Sequence, residues 1–542
     1  MLTKKFYFVL GLIFILMLCG ISQGGLTESS EARYAEIGRE MALSNDFLHP
    51  RMLGIGHYHK PPVTYAITAL GYKLFGYNEF GARFFLVVAL IIQLLLVYKM
   101  GKLWFEDRKT GIFAALIYFT FPIALASVLN LTTDAFLNTF ILSSIYCFLY
   151  AKLKKNTSFL YLGYVLLGIA FLVKGPVAFL PVALFMICYK IINKESVKPS
   201  KHTVLGIVLL LLISASWFIA IVLEKPNLLD HFIEDQIIKR SVDASQFKRS
   251  KPLWYYLVFA PLLCLPWTVP FVYILIAKRN HLKFTPQLKV LGFTCLAILV
   301  VFSLFSSKLI FYILPLYPLL ALFFAGIYRQ LLENEKGYFI LTYKVGFGIL
   351  TGMAIALLCI PAFEYKIWLS ILALAVIGSY FYWWNYKSKV SKSTRLFGLS
   401  TGATCILLLL YFSFAPQNDL LMRSFKPQFS FIKEQRKELK EYKVIVYDYR
   451  LPSAEFYLGD RIITVSNTNY ESLRDTRFEK DSSWTRSYID LRNPKNYPKF
   501  EALLKDPNNI IITKDRRPIP DSLDHLTKKF KVEEFGDWRV HY

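Results

Sequence analysis

Cysteine is missing from every polar stretch of this sequence. All seven (Cys19, Cys147, Cys188, Cys264, Cys295, Cys359 and Cys405) lie within apolar runs. That excludes a disulfide framework and any zinc spacing, and they read as small lipid- or core-facing side chains. Charge is scarce too, at 19% of residues, where a soluble chain carries about a quarter. No Walker-type phosphate loop is present, no G-x-G-x-x-G follows a strand, and there is no D-x-D pair, H-E-x-x-H or G-x-S-x-G. Nucleotide hydrolysis, metalloprotease and serine hydrolase chemistry lose their usual supports. Neither a 20–50-residue repeat nor a low-complexity segment appears.

What the chain does have is apolar length. Hydrophobic residues make up 55% and aromatics 16%, in windows long enough to cross a bilayer. About thirteen spans can be laid out, roughly 6–22, 83–100, 111–128, 134–152, 158–173, 176–193, 203–223, 255–276, 289–305, 309–330, 341–361, 367–385 and 395–414. The first has the basic start of a signal peptide without an obvious cleavage site, and is read as an uncleaved helix. The net charge of +25 would suggest nucleic acid in a soluble protein. Here it sits in alternate short connections, from Lys4-Lys5 through Lys152-Lys154-Lys155 and Lys190-Lys194-Lys198 to Lys387-Lys389-Lys392. That pattern points to membrane topology first, anionic lipid second and no nucleic-acid partner. It puts the N-terminus in the cytoplasm and the C-terminal tail outside. Residues 416–542 are more polar, with strands expected in 443–450, 460–467, 508–515 and 531–542 and helices in 431–442 and 500–506, a small outward-facing α/β domain.

The same topology carries the unusual polar stretches to the outer side. They are the 26–82 loop, 129–136, 173–176, 224–254 and 306–318. Within the loop, Glu28, Glu31, Arg33, Glu36, Arg39 and Glu40 predict a short amphipathic helix at the interface, its polar face aimed at a cavity. Intramembrane charge by default faces a cavity or partner. The candidates are Glu28, Glu31 and Asp134, with Arg33, Lys60, Arg83, Lys174, Arg240 and Lys308. Each has a plainer reading alone. Asp134, Lys174 and Lys308 sit at span lips where snorkelling suffices, Arg33 can pair with Glu36, and Tyr312 suits an aromatic belt. His57 and His59 read as interfacial hydrogen-bonding groups before a metal pair. Taken together, a carboxylate can act as general base, and boundary cations can hold a phosphate and offset charge on it as it leaves. Those two demands describe group transfer from a lipid-linked phosphate donor.

Five stretches, the first of them in three fragments, then carry a resemblance. EARYAEIGREM (31–41), YHKPPVTYAITALGYKLFG (58–76) and F-x-A-R-F (80–84), followed by TTDAFL, VKGP, KPLWYYLVFAPLLCLPW and SKLIFYILPLYPLLAL, are similar in order and spacing to the bacterial lipid A aminoarabinose transferases and their protein O-mannosyltransferase relatives. These are integral membrane glycosyltransferases of GT-C type. The resemblance implies a mainly α, polytopic GT-C-like domain over 1–415, with a catalytic first outer loop at 23–82 and the outer α/β domain over 416–542. It implies an inverting enzyme of the bacterial inner membrane. The enzyme would move a sugar from a polyprenyl-phosphate (undecaprenyl-phosphate) carrier to lipid A, another surface glycan or a protein. Lys60, Arg33 and Tyr312 would bind the carrier phosphate, helped by Arg240, Lys174 and Lys308. Glu31 and Asp134 would be the catalytic acids, with Glu28, His57, His59 and Arg83 as further candidates. This chain departs from the pattern in two places. Ser30 precedes Glu31 where relatives carry an acidic pair, so Glu31 or Glu28 has to take the base's role. His59 stands where relatives often have an acid, which leaves a divalent ion open. The alternative is a transporter or lipid flippase, which calls for broken midplane helices and related halves; neither is evident.

Overall fold

The protein is described by a computed structural model over residues 2–28, 30–196, 198–233, 250–277, 282–331, 392–439, 441–459, 462–468, 475–479 and 482–542, with six single positions between 332 and 391. It forms two compact units, one of Met1–Ile21 with Arg83–Gln417 and one of Ser22–Ala82 with Asn418–Tyr542.

The first unit is helical. Among the described residues six helices are long and apolar enough to cross a bilayer: Glu79–Trp104, Thr133–Lys154, Thr157–Lys174, Lys201–Glu224, Pro286–Leu304 and Ser400–Gln417. The expected span 111–128 is instead a bent pair, Arg108–Phe119 and Pro122–Leu129, at 60° to one another. Pro122 cannot donate to the preceding turn, so the ladder stops and restarts with proline in the new first turn. Thr120 mends the break. Its Oγ1 donates to the Ile117 carbonyl at 2.8 Å and accepts from Trp267 Nε1 at 2.7 Å, as a polar gap in hydrocarbon requires. The expected span 255–276 is likewise two helices, Tyr255–Leu262 and Thr268–Ala277, interrupted at Pro266. The 309–330 span opens as a 3-10 turn, Ile310–Ile313, before the Leu316–Leu331 helix. Expected spans 341–361 and 367–385 lie outside the described residues, a few single positions apart.

The second unit holds a six-stranded sheet in the order Tyr488–Asp490, Ile462–Ser466, Val444–Tyr447, Ile510–Lys514, Trp538–His541, Val532–Phe535. The first four strands are parallel and the last two form an antiparallel hairpin. Strand alternation explains its two cores. Val444, Val446, Ile510 and Ile512 face one, while Ile445, Tyr447 and Ile511 face the other. Both faces being buried, the central strands read as unbroken apolar runs, which is why the sequence announced them. The edge strand at Tyr488 and the helix Pro452–Leu458 gave no such signal. The helix expected at 431–442 runs instead over Lys426–Gln435, with Pro427 in its first turn.

The amphipathic helix of the first loop forms, over Ser30–Ser44, with its polar face packed over. Glu31, Ala32, Ala35, Glu36, Ile37, Gly38, Met41 and Ala42 are all buried, because the Val63–Phe75 and Pro452–Leu458 helices pack against it. Small residues permit this approach, since a Cβ on Gly38 would fall 2.7 Å from Thr68 Cγ2.

The helical unit uses the same device where Glu79–Trp104 meets Arg108–Phe119. A Cβ on Gly111 would stand 2.5 Å from the Tyr98 carbonyl oxygen, and one on Gly101 would stand 2.7 Å from the Gly111 Cα. Backbone cannot yield as a flexible side chain can. Gly111→Val is therefore expected to cost about 1–3 kcal/mol or more, read as a lowered unfolding temperature of the detergent-solubilised protein. An unchanged temperature would show that the two helices are not in close backbone contact.

Candidate active site

Three residues far apart in the chain meet in the helical unit. Asp134 lies in the first turn of Thr133–Lys154, capped by Thr132. Lys174 ends Thr157–Lys174, where Gly175 at φ 84° turns the chain away. Both charges suit their helix ends, an anion at an N-terminus and a cation at a C-terminus. Lys174 Nζ donates to Asp134 Oδ1, and each side chain of the pair is only 10% exposed. The same ammonium lies 4.5 Å from the centre of the Tyr312 ring, a cation–π contact worth about 0.5–2 kcal/mol. Tyr256, which the sequence did not single out, is fully buried. Its hydroxyl donates to the Leu309 carbonyl at 2.9 Å, pinning the stretch that carries Tyr312. The only sequence sign of it was its place beside the Trp254-Tyr255 pair.

Lys308 does not join this group. It is buried, and its ammonium donates to the backbone carbonyls of Phe305 at 2.6 Å and Lys251 at 3.0 Å. Arg83 is tied to the end of the first helix, donating to the Ile21 carbonyl at 2.7 Å. Arg240 lies outside the described residues.

The second unit gathers its own charges. Arg33 does not pair with Glu36, which instead receives both arms of Arg39 at 2.7 and 2.8 Å; Arg39 also reaches Glu455 at 3.3 Å. Glu40 accepts from the Gly54 N–H at 3.2 Å. Its carboxyl is pushed up to about 8, by burial first and then by Glu36. Glu31 is buried, and its Oε2 accepts the Thr27 N–H at 2.9 Å, closing the turn into its helix. Glu28 is pushed up to about 7 by burial, against opposing hydrogen bonds from Ser453 and the charge of Arg33. Glu28 Oε2, Arg33 Nε and the Tyr65 hydroxyl are all buried without a hydrogen-bond partner. Tyr65 stacks on Tyr34 at 5.8 Å. Lys60 is half-buried.

His57 and His59 stack at 4.3 Å, and both bond Asp475, at 3.4 and 2.9 Å. Burial opposes ionisation of Asp475, but the hydrogen bonds of His57 and His59 outweigh it and hold its carboxyl well below the usual range. Burial, reinforced by His59, keeps His57 well below its ordinary value. The three ligand atoms lie within 4.8 Å of one another, spacing that could hold a divalent ion. Arg450 already brings a cation to 3.3 Å from the same Asp475 carboxylate. Nothing near His57 in sequence advertises Asp475 or Arg450, which follow it by about 400 residues.

Comparison with known proteins fits this arrangement. Residues 59–219 match the family model described as dolichyl-phosphate-mannose-protein mannosyltransferase. An undecaprenyl phosphate-alpha-4-amino-4-deoxy-L-arabinose arabinosyl transferase of Pseudomonas paraeruginosa is 28% identical over 374 residues, covering 67% of each chain. The Yersinia pestis protein of the same name is 27% identical over 465 residues, 81% of each. The crystal structure of ArnT from Cupriavidus metallidurans, described as bound to undecaprenyl phosphate, superposes with a TM-score of 0.74. That match covers 99% of this chain and 98% of the other at 20% identity. The chain is thus similar in sequence to these arabinosyl transferases over most of its length, and its fold matches that of ArnT. It is mainly helical, with six described helices long and apolar enough to cross a membrane. The family model spans His59, Lys60, Asp134 and Lys174, so residues of both units lie in the matched stretch.

Two measurements test the electrostatics. Removing one partner of a buried pair strands the other, at about 3–5 kcal/mol. Lys174→Met and Asp134→Asn should each destabilise the protein, and the double variant should recover about 0.5–3 kcal/mol of their sum. Strict additivity in the melting data would dissolve the pair. The second concerns pH. Glu40 ionises near 4.5 in the unfolded chain and about 8 when folded, so the folded state holds the proton longer. Its contribution to stability is full below pH 4.5 and is lost as pH rises to about 8. The unfolding temperature should fall across that window, and Glu40→Gln should flatten the fall by about a few degrees.

Proposed function

We propose that this chain transfers a sugar from an undecaprenyl-phosphate-linked donor to an extracytoplasmic acceptor such as lipid A, with inversion. The observation that carries the reading is the meeting of Asp134, Lys174 and Tyr312 at adjoining helix ends, within a fold like that of a protein described as bound to undecaprenyl phosphate. The acceptor's oxygen attacks the anomeric carbon as the carbon–oxygen bond to the phosphate breaks. The polyprenyl phosphate leaves with the bonding pair, and a carboxylate takes the acceptor's proton. Asp134 is assigned that role because it stands beside Lys174 and Tyr312, and Glu31 is the other carboxylate that the resemblance offers. Tyr312 and Lys174 of the helical unit are assigned to the donor phosphate, whose charge grows in the transition state; Arg33 and Lys60 are the further cations that the family resemblance offers for it.

In this reading about thirteen helices cross the bacterial inner membrane. The N-terminus is cytoplasmic, and residues 416–542 form an α/β domain on the periplasmic side. The basic connections support that orientation.

The test is transfer from synthetic undecaprenyl-phosphate aminoarabinose to lipid A by the purified chain in proteoliposomes. Asp134→Asn should lower kcat about 10²–10⁴-fold with the protein still inserted and folded. Lys60→Ala should raise the donor KM about ten-fold, as loss of a charge-assisted phosphate contact implies. Undiminished turnover in Asp134→Asn would remove it as base, and no transfer by the unaltered chain from aminoarabinose or mannose donors would end the proposal.

A further inference from the structure

A cavity lies in the helical unit, away from Asp134. It has a volume of about 570 Å³ and opens among the ends of four helices. These are the C-terminal ends of Thr133–Lys154 and Phe179–Ile192, and the N-terminal ends of Thr157–Lys174 and Lys201–Glu224. Asp134 and Lys152 are separated by 18 residues of one helix, about 27 Å at helical rise. The cavity therefore lies toward the opposite membrane boundary from the Asp134–Lys174 pair.

Its mouth and its depth differ in chemistry. Lys152, Lys155, Lys190 and Lys198 line the mouth, with Ser196, Ser200 and Asn156. Glu195 answers one of these cations, accepting from Lys152 at 2.5 Å, so positive charge remains in excess. Two helices begin here, capped by Asn156 and Ser200, and two end, so the helix dipoles offset one another and the surplus charge is that of the lysines. Inward the lining turns apolar, through Phe148, Val182, Leu167 and Leu210. Leu167 lies ten residues beyond Thr157 on the same helix, so the cavity runs about 15 Å from its basic mouth, half the hydrocarbon thickness of a bilayer.

We infer that this cavity binds a phosphate-headed lipid, its headgroup among the four lysines and the start of its chains against Leu167 and Leu210. A free phosphate would leave the apolar depth unfilled, and a zwitterionic lipid would meet surplus cations with its own ammonium. The inference is independent of the transferase reading, since it uses none of the residues assigned to transfer. The chemistry is common to anionic phospholipids and to a polyprenyl phosphate.

The experiment titrates the full-length, detergent-solubilised protein with phosphatidylglycerol, phosphatidylcholine, undecaprenyl phosphate and inorganic phosphate, and reads bound lipid by native mass spectrometry. Phosphatidylglycerol or undecaprenyl phosphate should bind about ten-fold more tightly than phosphatidylcholine. Whichever is tighter identifies the source. Lys152→Gln with Lys190→Gln should erase that preference, and Ala183→Trp, which fills the lining, should remove the binding. The two lysine changes lie at the open mouth, so they test the idea even if the tryptophan variant fails to fold. Phosphatidylcholine binding as tightly as both phosphate-headed lipids, a preference that survives the lysine changes, or inorganic phosphate binding as tightly as either of them would overturn it.

Discussion

An ionised side chain taken out of water persists only where a partner meets it, because the penalty is several kcal/mol per ion even after relaxation. In the helical unit that constraint is met by Asp134 and Lys174. The geometry follows from chain length. Thr133–Lys154 and Thr157–Lys174 are joined by a two-residue turn at Lys155-Asn156. Asp134 lies 21 residues before Lys155 and Lys174 lies 19 after it, so an antiparallel hairpin of near-equal arms returns the second to the level of the first. One helix offers its positive pole to the acid and the other its negative pole to the base. Tyr312 then closes the group from a third segment.

Much of this was legible. Spans over 83–100, 134–152, 158–173, 203–223 and 289–305 follow from apolar length alone, and each is a helix. Spans 111–128 and 255–276 were read as continuous because apolar composition outweighs prolines in such a count, one in the first span and three in the second. In the folded chain Pro122 and Pro266 break the ladder. The convergence of 134, 174 and 312 was foreshadowed by their shared membrane face. Tyr256 was hidden because a buried tyrosine in an aromatic-rich span looks like any other.

The second unit was harder to read, and for a different reason. The charges of the first loop were visible, but their partners were not. Arg39 reaches Glu455, and His57 and His59 reach Asp475, each across roughly 400 positions of sequence. Local pattern carries no information about such pairings, so the loop was read as an interfacial helix with its polar face open. In the folded unit that polar face is closed by the Pro452–Leu458 helix, and burial is what lifts Glu28 and Glu40 out of the ordinary carboxylate range.

The rim of the six-stranded sheet has a bearing on how copies of this protein tolerate crowding. Its last strand, Val532–Phe535, has solvent-facing residues through most of its length and, among the described residues, no strand beyond it. Such a border is a template for pairing with another molecule. Glu534 is answered by Arg539 at 3.3 Å on the neighbouring strand, and Glu533 sets a negative charge on the border, so a like charge placed opposite it is repelled. Charge on a border strand is one of the ways natural sheets keep identical edges from pairing.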